Sequence, residues 1–345
     1  MINVAIINVT GYAGIELARI IRGHPEVTLR QVTGRSAAGQ ELGQAFPHLS
    51  DIELTIDNEV TESVDVVFSA LPQTSSAEAL IPFVEKSVKS IDISADFRLN
   101  SASEYQTWYG VEHPRPNLLG KSVYGLPELN RQSIKSAVLV ANPGCYPTGA
   151  ILALAPAVME GIIQEGIIIY SKSGVSGAGR GLSLNTHFSE VNENVSAYAV
   201  GGHRHLPEIT QEVSKLRSGF DPNITFLPHL IPMTRGILSS CYATLGDGGS
   251  VRGKMGEDQI RALYRDFYKD DPFVKVVDSP PMTKHTLGSN DCIIYPTIDE
   301  RTGRLIVISC LDNLVRGAAG QAIQNMNIML GIREQEGLEQ LALYP

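Results

Sequence analysis

Apolar residues crowd the start of the chain, Ile2-Asn3-Val4-Ala5-Ile6-Ile7, and the period then changes. A glycine-bearing turn, Asn8-Val9-Thr10-Gly11-Tyr12-Ala13-Gly14, leads into a helical repeat over 15–21 and a second strand-like run over 27–33. Strand, glycine turn, helix and strand in that order make a βαβ unit. Residues 64–70, Val-Asp-Val-Val-Phe-Ser-Ala, read as another buried strand, followed by a helix-like stretch over 75–86 and a strand near 90–93. This alternation predicts α/β architecture with an N-terminal doubly wound parallel sheet of Rossmann type. An apolar strand-like run over 137–141 and a helix-like run over 149–158 come next. The texture then changes to a Gly-rich loop over 173–181 and strand-like runs over 224–231, 237–244, 274–277, 293–298 and 305–310, with one long helical pattern over 257–269. That half is expected to form a second, α+β domain. The last helical pattern, 313–330, could pack with either half, and there is no internal repeat.

Composition narrows the function. A chain of 345 residues can build two domains with separate cores. Its formal net charge of −9 supplies no basic excess for counterion release, which argues against a nucleic-acid or anionic-membrane partner. No apolar run reaches membrane-spanning length without Pro, Gly or a charge, and the N-terminus opens on a strand pattern without the regions of a signal peptide. With four widely spaced cysteines, a reducing compartment and a cytoplasmic location are expected.

The turn Thr10-Gly11-Tyr12-Ala13-Gly14 lies between a strand and a helix, where a pyrophosphate would meet the N–H groups of a helix N-terminus. Its first gap is one residue longer than in G-x-G-x-x-G, with Asn8 in place of the first glycine. At the end of the second strand stand Thr33-Gly34-Arg35-Ser36. A cation and a hydroxyl there, in place of an acid, suit a 2′-phosphate and favour NADP.

The most reactive candidate is Cys145 in Ala141-Asn142-Pro143-Gly144-Cys145-Tyr146-Pro147-Thr148-Gly149, at a strand-to-helix junction. A helix N-terminus favours thiolate over thiol, whereas Cys241, Cys292 and Cys310 lie in or beside apolar strands and read as core. A thiolate that forms an acyl intermediate needs a proton donor and acceptor. Gly201-Gly202-His203-Arg204-His205-Leu206-Pro207-Glu208 offers two histidines, with Glu208 one helical turn from His205 and able to fix its tautomer. His-x-His without further clustered ligands is poor evidence for zinc, so no metal site is expected. Arg98, Arg180 and Arg235, each beside glycine or near a strand end, are candidate cations for an anionic substrate.

These residues resemble the N-acetyl-gamma-glutamyl-phosphate reductase family, within the aspartate-semialdehyde dehydrogenase-like group. The resemblance covers nearly the whole chain. It rests on Thr10-Gly11-Tyr12-Ala13-Gly14, Ser94-Ala95-Asp96-Phe97-Arg98, Tyr124-Gly125-Leu126-Pro127-Glu128, Pro143-Gly144-Cys145-Tyr146-Pro147-Thr148, residues 173–180, Gly202-His203-Arg204-His205 with Glu208, and Asp312-Asn313-Leu314-Val315-Arg316-Gly317. It implies NADPH-dependent reduction of N-acetyl-glutamyl 5-phosphate to the 5-semialdehyde, a step of arginine biosynthesis, through a thioacyl intermediate on Cys145. It also implies His205, or else His203, as the acid/base. The segment from Asn313 is expected to return to the first domain near the nicotinamide, giving an NADP-binding domain of 1–144 plus 313–345 and a catalytic domain of 145–312. A homo-oligomer, dimer or tetramer, is expected. Asn8 departs from the family's usual first glycine. Reduction of a related acyl phosphate, aspartyl or carrier-bound aminoadipyl, is the alternative enzyme reading, and an NADP-binding regulator with an inert thiol is the alternative outside enzymes.

Overall fold

The computed structural model describes residues 1–246 and 255–344. It contains two compact units. Unit 1 joins Met1–Gly144 to Ala318–Gln340, and unit 2 is Cys145–Gly317 with a short C-terminal piece from Leu341. Two stretches expected in the first domain therefore belong to unit 2. Residues 313–317 stay there because Asn313 is hydrogen-bonded within that unit, and the tail returns because the Leu343 N–H donates to the Leu287 carbonyl at 2.8 Å.

Unit 1 is built on seven strands: β1 (Ile2–Ile7), β2 (Val27–Thr33), β3 (Ile56–Asp57), β4 (Val66–Ser69), β5 (Lys89–Asp92), β6 (Val123–Tyr124) and β7 (Leu139–Ala141). Their order is β3-β2-β1-β4-β5-β7-β6 and every pair is parallel. The order reverses between β1 and β4, the place where doubly wound sheets bind ligands at the carboxyl ends of their strands. Val4, Ala5, Ile6, Val66, Val67 and Phe68 are fully buried, as expected of strands covered on both faces. The short strands β3 and β6 escape the sequence pattern because two residues carry no period.

Unit 2 carries a mixed sheet of β8 (Ile168–Ser173), β9 (Ser196–Ala197), β10 (Thr225–Leu230), β11 (Ile237–Thr244), β12 (Val274–Val276), β13 (Cys292–Asp299) and β14 (Arg304–Leu311). They lie in the order β12-β13-β14-β11-β8-β10-β9. The helix Cys145–Met159 packs on β11 and β14 and is buried at every residue from Tyr146 to Val158, which explains its lack of a polar face. Pro156 has no N–H to give the Leu152 carbonyl one turn back, and the Tyr268 hydroxyl donates there instead at 2.5 Å. Ser309 Oγ and Tyr264 Oη donate to the Gly149 and Ala153 carbonyls at 2.9 and 2.8 Å. These bonds fix the helix that begins at Cys145. No helix among the described residues is long and apolar enough to cross a membrane.

Candidate functional site

In unit 1 the turn after β1 leads into the helix Tyr12–Arg22, whose N-cap is Gly11 and which no side chain caps. A Cβ on Gly14 would lie 2.4 Å from the Asn8 carbonyl oxygen, so glycine alone permits this close approach of helix to turn. Asn8 has φ +67, the left-handed conformation that asparagine tolerates better than other side chains. That accounts for its standing in place of a glycine. Its side chain also ties the strand ends together: Nδ2 donates to the Ala70 carbonyl beyond β4 at 2.9 Å, and Oδ1 accepts from Thr10 Oγ1 at 3.2 Å. Arg35 and Ser36 sit exposed on a single turn, Arg35–Ala37, directly after β2. An uncapped helix start at the switch point, with an exposed guanidinium and hydroxyl one strand away, fits a dinucleotide carrying a 2′-phosphate.

The segment Ser94-Ala95-Asp96-Phe97-Arg98 serves the frame of unit 1. Asp96 accepts from the backbone N–H groups of Thr74, Ser76 and Ala77 at 2.7, 3.0 and 2.9 Å, capping the helix Ser76–Glu85 from outside it. Arg98, expected to bind substrate, is buried, and its Nε and Nη2 donate to the Asn142 and Ile93 carbonyls, each at 2.8 Å. A guanidinium committed to main-chain carbonyls braces the turn before Cys145.

Cys145 is the first residue of its helix and is half-buried, while Cys241, Cys292 and Cys310 are buried. Burial pushes the Cys241 and Cys310 thiols up to about 12, which leaves them inert at neutral pH. Gly317, in the π-helical turn Val315–Ala319, lies against the nucleophile candidate: a Cβ there would come 2.6 Å from Cys145 Cβ. Tyr146, one residue on, is buried, and its hydroxyl pairs with the Tyr198 hydroxyl at 2.9 Å. Burial, and the neighbouring Cys145 when ionised, raise both tyrosines, Tyr198 to about 12, so both remain protonated and able to donate. The sequence reading missed this pair, although Tyr146 adjoins the thiol in the same motif.

His203 and His205 both set their rings edge-on against Tyr146, with centroids 5.7 and 5.9 Å away, and lie 4.8 Å from each other. Distant chain segments thus meet at Tyr146, the residue after Cys145. His203 also meets Tyr198 and Phe226 edge-on, and its Nδ1 accepts the His205 N–H at 3.0 Å. Burial, with the Arg204 charge adding to it, lowers His203 to about 4. His203 is therefore uncharged at neutral pH, and with Nδ1 accepting from His205 its one ring proton sits on Nε2. His205 is the N-cap residue of the helix Leu206–Lys215, and Glu208 is buried in its first turn.

Arg235, between β10 and β11, is directed by Asp312: its Nε lies 3.1 Å from Asp312 Oδ2. Asp312 is fully buried and also accepts from the N–H groups of Gly288 and Leu314, each at 2.8 Å. Asn313, expected at the cofactor, is buried within unit 2, where Oδ1 accepts from the Gly236 N–H at 2.7 Å and Nδ2 donates to Ser176 Oγ at 2.9 Å. It holds the Arg235-Gly236 turn against the loop after β8. Arg180 is exposed, in a segment where Leu182, Leu184 and Phe188 are exposed as well. Among the described residues no group of three or more His, Cys, Asp or Glu side chains is placed to hold a metal ion.

The family model described as semialdehyde dehydrogenase, NAD binding domain, matches residues 3–137, and that described as semialdehyde dehydrogenase, dimerisation domain, matches residues 145–313. The N-acetyl-gamma-glutamyl-phosphate reductase of Dehalococcoides mccartyi strain CBDB1 is 54% identical over 340 residues, covering 99% of this chain and 98% of its own. The enzyme of that name from Pelotomaculum thermopropionicum is 50% identical over 352 residues, covering 100% and 99%. Among solved structures, aspartate semialdehyde dehydrogenase II from Vibrio cholerae superposes with a TM-score of 0.70 at 17% identity, over 96% of this chain and 99% of its own. Aspartate semialdehyde dehydrogenase with NADP from Candida albicans gives 0.66 at 14% identity, over 96% and 98%; likenesses this remote speak to the fold alone. A glycine turn at the switch point of a parallel sheet, a helix-start cysteine followed by a tyrosine on which two histidines pack, and relatives along the full length agree: the chain belongs to the N-acetyl-gamma-glutamyl-phosphate reductase family of semialdehyde dehydrogenases.

Proposed function

We propose that this protein reduces N-acetyl-glutamyl 5-phosphate to N-acetyl-glutamate 5-semialdehyde with NADPH, a step of arginine biosynthesis, with Cys145 as the nucleophile. The observation that carries this reading is Cys145 at the first position of a buried helix, beside a tyrosine on which both histidines pack. The Cys145 thiolate attacks the acyl carbon, a C–S bond forms, the C–O bond to phosphate breaks, and inorganic phosphate leaves. When bound, NADPH supplies the hydride that reduces the resulting thioester. Backbone N–H groups in the first turn of the Cys145 helix, Tyr146 among them, stabilise negative charge on the carbonyl oxygen. His205 exchanges the proton of that oxygen as the C–S bond breaks and the aldehyde departs. Arg235, aimed by Asp312, and the exposed Arg180 are the cations proposed to receive the substrate's anionic groups.

The proposed cofactor residues are Thr10, Gly11, Tyr12, Ala13 and Gly14 for the pyrophosphate, and Arg35 with Ser36 for the 2′-phosphate. NADPH is expected to be used in preference to NADH, and Arg35→Asp to narrow or reverse that preference when kcat/KM is measured for both. Equal use of the two cofactors by the unmodified protein would count against the role of Arg35.

His205→Asn is expected to slow the chemical step by about 10²–10⁴-fold, and His203→Asn by less. Burial keeps His203 uncharged at neutral pH, and its ring packs edge-on against Tyr146, Tyr198 and Phe226, so its loss is expected to act mainly through packing. Single-turnover rates measured from pH 5 to 9 would check this. An inverted order of severity would transfer the acid/base role to His203.

The function is tested in reverse. Semialdehyde oxidation with NADP is expected to require inorganic phosphate, with arsenate as a substitute, because a thioester left by hydride removal needs a nucleophile to release it. In phosphate-free buffer NADPH production is expected to stop after one turnover. Steady formation of free acid without either anion would mark a hydrolytic aldehyde dehydrogenase and overturn the acyl-phosphate reading.

A homo-oligomer, dimer or tetramer, is proposed as the working form. In unit 2 the sheet face opposite the Cys145 helix carries Tyr170, Leu238, Tyr242, Ile306 and Ile308, all half-exposed. An apolar sheet face of this kind is stabilised by a second copy. Sedimentation of the pure protein as a monomer at micromolar concentration would refute it.

A further inference from the structure

We infer that Asn142 is a positioning residue for the Cys145 thiol, holding the turn that leads into the nucleophile and the turn that packs against it in fixed register. The inference rests on the reading of Cys145 as the nucleophile. Asn142 is fully buried, and each of its four polar groups is engaged. Its backbone N–H donates to the Asp92 carbonyl at 2.8 Å and its carbonyl accepts from Arg98 Nε at 2.8 Å. Its side-chain Nδ2 donates to the Ala318 carbonyl at 3.1 Å, and its Oδ1 accepts from Asn325 Nδ2 at 3.0 Å. The main-chain pair fixes Asn142 to the end of β5. The side-chain pair fixes it to the segment that re-enters unit 1 at Ala318.

Both directions lead to the thiol. Pro143 follows Asn142 and restricts it to extended conformations, so the orientation of Asn142 is passed through two residues to Cys145. Ala318 follows Gly317, and Gly317 is the residue whose Cα faces Cys145 Cβ. One buried amide side chain therefore holds the chain on both sides of the nucleophile, at Asn142 itself and at Ala318. With its backbone and side-chain donors and acceptors all bonded, Asn142 is held in one orientation, and reactive geometry is sensitive to shifts of an ångström. Arg98 shares this role, since its second bond, to the Ile93 carbonyl, anchors the same loop.

The test is Asn142→Ala in the full chain, read by steady-state kinetics and by the pH dependence of Cys145 alkylation with iodoacetamide. The expected result is a fall in kcat of about tenfold or more, a KM for NADP within about twofold of the unmodified protein, and an altered alkylation profile. A folded variant of lower thermal stability but with unchanged kcat and unchanged Cys145 alkylation would show a merely structural residue and overturn the inference. If Asn142→Ala does not fold, Asn325→Ala removes the outer partner, and a fall in kcat of about threefold with the same change in alkylation is expected. An unaltered kcat and profile there would also overturn it. Activity retained by Cys145→Ser would remove the nucleophile reading instead, and the alkylation profile would still decide whether Asn142 holds the thiol.

Discussion

Cys145→Ser is expected to lower kcat by about 10³-fold or more while NADPH still binds within a few-fold of its original affinity. The hydroxyl is nearly isosteric with the thiol but has far too high a pKa to ionise, and a helix N-terminus cannot make up that difference. The proposed dinucleotide residues lie on the turn after β1 and the turn after β2 in unit 1, whereas Cys145 opens unit 2, so the substitution leaves them untouched. Fluorescence titration with NADPH alongside the phosphate-dependent assay separates the two effects. Substantial turnover by the serine variant would remove the covalent mechanism. The remaining cysteines cannot substitute, since Cys241, Cys292 and Cys310 are buried in or beside the strands of the unit 2 sheet.

Gly317→Ala is expected to be nearly as damaging for a steric reason alone. The added methyl would stand 2.6 Å from Cys145 Cβ, 3.1 Å from Cys145 Cα and 3.3 Å from Leu311 Cδ1. Retreat is restricted on both sides. The Gly317 N–H donates to the Asp312 carbonyl at 2.9 Å, and the Cys145 helix is locked by the Ser309, Tyr264 and Tyr268 hydroxyls on its carbonyls. Overpacking of this kind costs about 1–3 kcal/mol of stability, and displacement of the thiol by an ångström costs about 10²-fold in kcat. Thermal unfolding and kcat measured on the same preparation would check both. An unchanged kcat would mean that the π-helical turn relaxes away from the thiol.

The sequence by itself determined the parallel sheet of unit 1, because strands buried on both faces must be continuously apolar and the helices between them must alternate with them. It also located Cys145 at a helix start, since Pro143 and Gly144 end the strand-to-helix turn there and an apolar run follows. Cofactor class was legible for the same reason: the glycine turn is a local feature of a single βαβ unit. Two-residue strands such as β9 and the helix Pro127–Ser136 left little trace, because their patterns are too short or too polar to stand out.

What only the tertiary structure decided is which polar residues are buried and which partners each one finds. Arg98, Arg180 and Arg235 look alike in sequence, yet one is buried on main-chain carbonyls, one is exposed, and one is aimed by a buried aspartate. His203 and His205 are two residues apart, and burial among Tyr146, Tyr198 and Phe226 is what keeps the first uncharged. Asn313 belongs with unit 2 because its amide finds partners at Gly236 and Ser176, residues far from it in the chain. A side chain's charge and role depend on desolvation and on partners brought in from distant segments, and neither is a property of local sequence.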